Sequence, residues 1–319
     1  MKQETVLITG AAGFIGSHLA QKLLNLNYNV IGVDNLSSGC IENISVCLTN
    51  SNFKFIKGDI VNYDFCCKIC EGVDYVCHEA AINSVPRSIK TPEIYFSNNL
   101  LGFCNMLEAV RKKKVKKFIY ASSSSVYGSS KLLPKTENKT GDALSPYALS
   151  KQNNEKWAKL YSDIYNINTI GLRYFNVFGP KQKYKSEYSA VIPKFIYNIL
   201  NENRVYIYGD GEQKRDFTFV DNVVAANIKA IETPMNVSGE VYNVSAAQQI
   251  TVNEVLKTIE TKLNKTAKIK YCEKRKGDIL NSYADISKSK QDLGYTPIIN
   301  FDCGIEKTIE WYKKNGVIK

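Results

Sequence analysis

The sequence predicts an α/β chain built on a doubly wound parallel sheet, followed by a smaller C-terminal domain. Three observations lead there. Apolar strand-like runs alternate with amphipathic helical patterns through the first half. A glycine-rich turn separates the first run from the first helix. The alternation then breaks after Gly179-Pro180.

The first run, Thr5–Thr9, leads into a helical pattern over 14–26. Further runs stand at 29–33, 53–57, 74–77 and 117–122, with helical patterns over 63–70 and 92–113. A helix over 147–165 precedes another strand at 169–173. Beyond residue 180, short β segments at 205–208, 240–244 and 268–271 fall among polar loops. They suggest a domain packed against the sheet's carboxyl edge. The division is therefore 1–180, binding a dinucleotide, and 181–319, mainly binding substrate, with a soft boundary and interleaved segments.

A length of 319 residues suits two domains at about 150 residues each. With 44% hydrophobic and 23% charged residues, wholesale disorder is excluded. No apolar run approaches the roughly 18 residues of a membrane-spanning helix, and MKQETVLITG lacks the apolar core of a secretory signal. Forty-two Lys and Arg against 31 Asp and Glu leave +11. The one dense basic run, RKKKVKK at 111–117, follows a helical pattern, where cations suit a helix C-terminus. No nucleic-acid module accompanies the charge, so a field that gathers small anionic substrates is the better use of it.

Nine cysteines lack metal-site spacing, and His18 and His78 are the only histidines. A zinc site is thereby disfavoured, no metal is expected, and free thiols point to a reducing cytoplasm. Proton chemistry falls to Tyr, Lys, Asp or Glu.

Gly10, Gly13 and Gly16 punctuate the turn between first strand and first helix. Glycine lets the backbone approach a pyrophosphate, whose charge sits well at a helix N-terminus. Asp34 closes the second strand, where a carboxylate accepts from ribose hydroxyls and repels a 2′-phosphate. NAD is therefore expected over NADP. Here the chain resembles the extended short-chain dehydrogenase/reductase family, and Gly58-Asp59-Ile60, His78-Glu79-Ala80-Ala81 and Asn98-Asn99 agree with it. The resemblance implies that Phe14, Ile15 and Asn35 help form the cofactor groove. It also implies that Asp59 and Ile60 contact adenine, that Ala80 and Ala81 line the cofactor, and that Asn98 holds nearby backbone.

Tyr147 and Lys151 form YxxxK on one face of a helix. Spacing alone leaves open a surface Tyr–Lys pair. Placement adds weight: Ser145-Pro146 opens the helix, and the serine-rich loop from Ser122 to Tyr127 ends the preceding strand. A phenol with a pKa of about 10 is a poor base at neutral pH. A neighbouring ammonium and a positive nicotinamide would lower it. In the family, Ser123 binds the reacting oxygen, Tyr147 removes its proton, and Lys151 also binds the nicotinamide ribose.

The likeness runs nearly end to end and is nearest to nucleotide-sugar 4-epimerases. It rests on Ser84-Val85-Pro86-Arg87-Ser88, on 172–179 (LRYFNVFG), on Ala190-Val191-Ile192-Pro193, and on Arg215-Asp216-Phe217. Arg275-Lys276-Gly277-Asp278 followed by Ala284-Asp285 completes it. By position, Asn176, Arg215 and Arg275 hold a diphosphate, Asp278 a ribose, and Ala190, Val191, Ile192 and Tyr206 the uridine. Phe175 would lie near nicotinamide, with Ser84 and Ser124 beside the sugar. Each arginine, taken alone, also suits a surface ion pair.

Related dehydratases and decarboxylases place acids where this chain has Ser124 and Ser125. Simple C4 epimerisation of a UDP-hexose follows. The resemblance also implies a homodimer formed through helices 92–113 and 147–165. Ser282 falls where relatives carry either tyrosine or a small residue. A small residue admits a 2-N-acetyl group, so UDP-GlcNAc/UDP-GalNAc is expected first and UDP-Glc/UDP-Gal second. Arg87 keeps a UDP-uronate, N-acetylated or not, as an alternative. A non-catalytic NAD-binding regulator is another, against which Ser123, Tyr147 and Lys151 argue.

Overall fold

The computed structural model describes residues 3–186, 188–234, 237–273 and 281–315. The strands in chain order are β1 (Thr5–Thr9), β2 (Asn29–Asp34), β3 (Phe53–Lys57), β4 (Tyr75–His78), β5 (Lys117–Ser123), β6 (Thr169–Tyr174) and β7 (Val177–Phe178). After them come β8 (Arg204–Tyr208), β9 (Lys214–Arg215), β10 (Thr218–Phe219), β11 (Glu240–Val244), β12 (Ile250–Thr251), β13 (Lys268–Cys272) and β14 (Asn281–Ser282). The helices begin with α1 (Phe14–Asn25), α2 (Ser45–Leu48), α3 (Tyr63–Ile69), α4 (Val85–Lys90), α5 (Glu93–Tyr95) and α6 (Gly102–Lys113). They continue with α7 (Pro146–Tyr165), α8 (Val191–Leu200), α9 (Val220–Glu232), α10 (Val252–Leu263), α11 (Ser287–Leu293) and α12 (Phe301–Lys314).

Seven strands form one sheet in the order β11-β6-β5-β4-β1-β2-β3, and every pairing is parallel. A sheet covered on both faces needs strands apolar throughout. In β6 all six residues are buried, and in β1 four of five. One apolar layer joins α1 and α9 to the sheet; another joins α3 and α6 to its opposite face. The register sets Thr9 beside both Val33 and His78, and Ser123 beside Tyr174. Gly10, Asp34, Glu79 and Ser123 consequently gather at the carboxyl edge, where doubly wound sheets bind their ligands. The strand order reverses there.

Two elements depart from the sequence expectations. Glu240–Val244 does not belong with the smaller body. It is the edge strand of the large sheet, parallel to β6, and α9 provides the crossover against α1. The expected helix over 92–113 is broken into α5, a π turn at Phe96–Leu101, and α6. A π turn inserts a residue into the helical ladder and frequently marks a functional site. Here it turns Asn99 inward, where its amide accepts from Ile82 N at 2.7 Å and donates to Ile82 O at 3.0 Å.

The smaller body has its own core, from α8, α10, α12 and β8, which pairs in parallel with the exposed β13. The basic run serves two helix termini: Arg111, Lys112 and Lys113 lie in the last turn of α6, as expected from the sequence, and Lys117 reaches another. Buried Lys117 donates to Ala230 O, Ile231 O and Thr233 O at 2.8, 2.8 and 2.6 Å, closing the C-terminus of α9. Among the described residues, no helix is long and apolar enough to cross a membrane.

Arg173 joins β6 to α7. Its guanidinium meets both Glu155 oxygens at 2.9 and 2.8 Å and donates to Tyr127 Oη at 3.0 Å and Glu137 O at 2.8 Å. Removing one member of a buried ion pair leaves the other charge without compensation. Arg173→Met should therefore cost about 3–5 kcal/mol of unfolding free energy, read by urea titration. A loss below about 1 kcal/mol, the range of exposed pairs, would show that Glu155 does not depend on Arg173 for compensation of its charge.

Candidate active site

Gly10 turns with φ +71°, and a Cβ there would stand 2.8 Å from Ala80 N. At Gly16 a Cβ would come within 2.2 Å of Gly10 O. Both positions therefore require glycine, and the turn lies flat against the backbone after β4. Gly13 caps α1 with no side chain over its first N–H groups. These donors have no partner within the helix. Phe14 and Ile15 follow as partly buried residues at the head of α1. Such a bare helix N-terminus, cradled by glycine, fits a pyrophosphate.

Asp34 is nearly buried at the end of β2. Its carboxylate accepts from Ala12 N at 3.0 Å and Leu36 N at 2.8 Å. Burial pushes its pKa up, and those two bonds oppose the push. A carboxylate offers about four acceptor sites, so capacity remains for two ribose hydroxyls. Asn35 Nδ2 donates to Asp59 Oδ2 at 3.0 Å, bringing both to the same edge. Ile60 is buried, and Ala80 N donates to Thr9 Oγ1 at 3.3 Å. Ala81 follows, partly buried.

Two cofactor expectations are corrected. Asn98 bonds within its own helix, to Ile94 O at 2.8 Å, and Asn99 holds the segment after β4. The reason is the π turn, which rotates Asn99 inward. Phe175 is completely buried against Tyr127, 5.9 Å between ring centroids, and offers no surface to a cofactor.

Ser123, Tyr147 and Lys151 converge beside the glycine turn. Ser123 Oγ accepts from Ser125 N at 3.1 Å and Ser125 Oγ at 3.0 Å, and it bonds the Tyr147 phenol. Ser124 opens a 3-10 turn, Ser124–Tyr127. The Lys151 ammonium, 2% exposed, donates to Ala121 O at 2.7 Å. Burial pushes Lys151 down to about 8, opposed by Glu79 and Glu155. The Tyr147 phenol behaves otherwise than expected. Burial raises its pKa, and the protein group opposing that rise is Ser123 rather than Lys151. The lysine is turned toward the strand carbonyl.

Tyr95 packs edge-on against Tyr147 at 6.2 Å and donates to Ser84 O at 2.8 Å. Ser84 itself holds φ +115° and caps α4 by accepting from Arg87 N at 3.2 Å. The motif around Ser84 is thus braced against the tyrosine.

A cavity of about 340 Å³ opens in the smaller body, and Asn176, Ala190, Val191, Ile192, Tyr206 and Arg215 all line it. Asn176 takes φ +34° and donates to Asp216 O at 2.9 Å. Lys194, Asn198 and Gln213 line it as well. Sequence reading missed these three, although Lys194 and Asn198 recur at helical spacing from Val191. Ser282 lies in register with Arg215 on the neighbouring strand, β14 against β9, beside the cavity rather than in its lining. Arg275 and Asp278 lie outside the described residues.

Residues 6–245 match the NAD dependent epimerase/dehydratase family. The chain belongs to that family, and it is an NAD-dependent enzyme, an isomerase. The UDP-N-acetylglucosamine 4-epimerase of Methanobrevibacter ruminantium M1, in complex with UDP-N-acetylmuramic acid, is 38% identical with a TM-score of 0.93, covering 99% of this chain and 100% of that one. The UDP-glucose 4-epimerase of Thermotoga maritima, with UDP-glucose, is 35% identical with a TM-score of 0.91, covering 98% and 99%. The UDP-glucuronic acid 4-epimerase of Bacillus cereus, in complex with UDP-glucuronic acid and NAD, has the same identity, TM-score and coverage: 35%, 0.91, 98% and 99%.

The Asp34 carboxylate repels a 2′-phosphate placed at the ribose. Two charges about 4 Å apart repel by roughly 1–4 kcal/mol, depending on screening. Asp34→Ala should therefore improve NADP binding relative to NAD by about tenfold or more, measured by competitive titration of apo protein. An unchanged ratio would remove Asp34 from the ribose site.

Proposed function

We propose that this isomerase interconverts UDP-sugars differing at C4, with UDP-GlcNAc/UDP-GalNAc as its first pair and UDP-Glc/UDP-Gal as a secondary one. The observation that carries this reading is the buried Ser123–Tyr147 hydrogen bond, with Lys151 one helical turn away. NAD, when bound, accepts and returns the C4 hydride.

The chain's residues handle the proton and the orientation. Ser123 positions the C4 oxygen, and Tyr147 takes its proton and later gives it back. A phenol raised by burial needs nearby positive charge to act as base at neutral pH. Lys151, whose ammonium is turned to Ala121 O, would hold the nicotinamide ribose, and the positive nicotinamide would bring that charge to Tyr147. Arg215 and Asn176 hold the diphosphate, while Ala190, Val191, Ile192 and Tyr206 frame the uracil and its ribose. The 4-keto sugar turns over within the pocket before reduction. Ser124 and Ser125 provide no carboxyl for dehydration or decarboxylation, which leaves epimerisation.

The division of labour follows the two bodies, with 1–180 binding NAD and 181–319 mainly the UDP-sugar. Phe96, Leu149, Trp157, Leu160 and Ile164 are exposed on the helices from 93 to 165, and a homodimer would cover them. The cysteines are free thiols, which suits a cytoplasmic enzyme.

One observation favours a second reading. Arg87 is close enough for its charge to act on Tyr95, which packs on Tyr147. A cation so near the sugar suits a uronate carboxylate.

Tyr147→Phe should cut turnover by about 10²-fold or more while bound NAD is retained, checked by steady-state assay and by release of dinucleotide on denaturation. Near-normal turnover would contradict the assignment. For specificity, Ser282→Tyr should cost UDP-GlcNAc about 1–3 kcal/mol through overpacking, roughly ten- to hundredfold in kcat/KM, and spare UDP-glucose. Equal loss on both sugars, or on neither, would show that residue 282 does not gate the pocket.

A further inference from the structure

Glu79 is an acid in the site to which the proposed mechanism gives no task. It directly follows β4, where its N–H donates to Thr9 O at 3.1 Å. A Cβ on Gly10 would stand 3.0 Å from the Glu79 carbonyl carbon. The side chain thus begins at the floor of the glycine turn. Tyr174 Oη donates to its carboxylate at 2.7 Å, and Asn227 Nδ2 donates to Tyr174 Oη at 2.8 Å. Asn227 also bonds the carboxylate. These donors satisfy oxygens without supplying positive charge, and burial pushes Glu79 up to about 7.

Lys151 presents the opposite case. Its ammonium is buried on a neutral carbonyl, Ala121 O. A buried ammonium held this way tends to lose its proton. His78 of β4 lies opposite Tyr120 of β5, so Glu79 and Ala121, whose carbonyl holds the ammonium, are the next residues along two adjacent strands. Glu155 lies one turn along α7 from Lys151. The charges of these two carboxylates reach the ammonium. Glu155 already faces Arg173 with both oxygens, so one positive charge cancels it. Glu79 has no such claim on its charge among those contacts. We propose that Glu79 is the counter-charge that keeps Lys151 in its ammonium form, a positioning residue that acts on the reaction through the lysine.

The other groups around Lys151 do not fill this part. His78 from β4 is neutral, pushed down to about 3 by burial, with Nδ1 on Thr9 Oγ1 at 2.9 Å. Tyr174 from β6 is held protonated by burial, and Arg173 from the same strand is paired. Tyr147 on α7 is governed by burial and Ser123. Asn227 from α9 and Asn99 from the π turn are uncharged.

The sign of the effect follows. Removing a negative charge beside an ammonium lowers its pKa. The alkaline limb of kcat, where Lys151 loses its proton, should move to lower pH by about one unit. The acid limb, which reports Tyr147, should stay in place. This inference rests on the assignment of Lys151 to the reaction, so Lys151→Met is the companion variant.

The experiment records pH–kcat profiles of the NAD-loaded enzyme with UDP-GlcNAc or UDP-glucose, whichever reacts faster. Glu79→Gln keeps acceptors for Tyr174 and removes the charge; Glu79→Asp keeps the charge and shortens the side chain. The expected result is an alkaline limb lowered in the glutamine variant and close to wild type in the aspartate variant. An unshifted glutamine variant, or equal shifts in both, would overturn the proposal, because a purely structural role follows bonding and not charge. Should Glu79→Gln fail to fold, Tyr174→Phe removes a donor from Glu79, favours its protonation and should lower the same limb; no shift there would also overturn the proposal. Wild-type turnover in Lys151→Met would instead refute the role of Lys151, and the inference with it.

Discussion

Three stretches of backbone meet at Gly10 with no room for a side chain between them. The turn after β1, the start of α1 and the segment after β4 approach so closely that a methyl group at Gly10 or Gly16 would overlap backbone atoms. Parallel register does the rest. Because Thr9 lies beside Val33 and His78, whatever follows each of those strands arrives at the same crevice. Asp34, Ala80 and Glu79 owe their positions to that alignment. Ser123 joins them because β5 pairs with β4 and runs a little further toward the same edge.

The second determinant is how charge is buried. Lys151 lies on the sheet's carboxyl edge with a neutral carbonyl as its immediate partner, and Arg173 lies on β6, three strands from β1, with Glu155 as its own. Buried charges persist where bonded and compensated. Lys117 shows another solution, three carbonyls at the end of a helix. Burial shifts the titrating groups of the site toward their neutral forms, Tyr147 upward and Lys151 downward. Charge brought into the crevice then has large leverage on both.

Much of this architecture was legible in the residues. β1 and β3 begin and end where their apolar runs do, and Ser145-Pro146 marks the start of α7 by capping chemistry: Ser145 Oγ accepts from Ala148 N. The family resemblance, carried over position by position, named six residues that line one cavity although they come from segments forty positions apart in the chain. What escaped depended on tertiary context. Glu240–Val244 carries an ordinary strand pattern, and nothing local tells that it pairs with β6 rather than with a neighbour in sequence. The choice between Asn98 and Asn99 hangs on a π turn that has no composition of its own. Phe175 sits beside residues of the site but points into the core. The Tyr147 phenol illustrates the same limit, since helical spacing brings Lys151 near and cannot say which way its ammonium turns.

The central claim is that this crevice stores a dinucleotide which takes hydride from a UDP-sugar and gives it back. Purified protein, never supplied with cofactor, should release NAD on denaturation. Adding UDP-GlcNAc or UDP-glucose to the intact protein should raise the near-ultraviolet absorbance of NADH on the bound dinucleotide, with no net oxidation of sugar at equilibrium beyond that bound fraction. A protein that carries NAD and shows no NADH absorbance with any UDP-hexose, N-acetylhexosamine or uronate, and turns none of them over, would contradict the account.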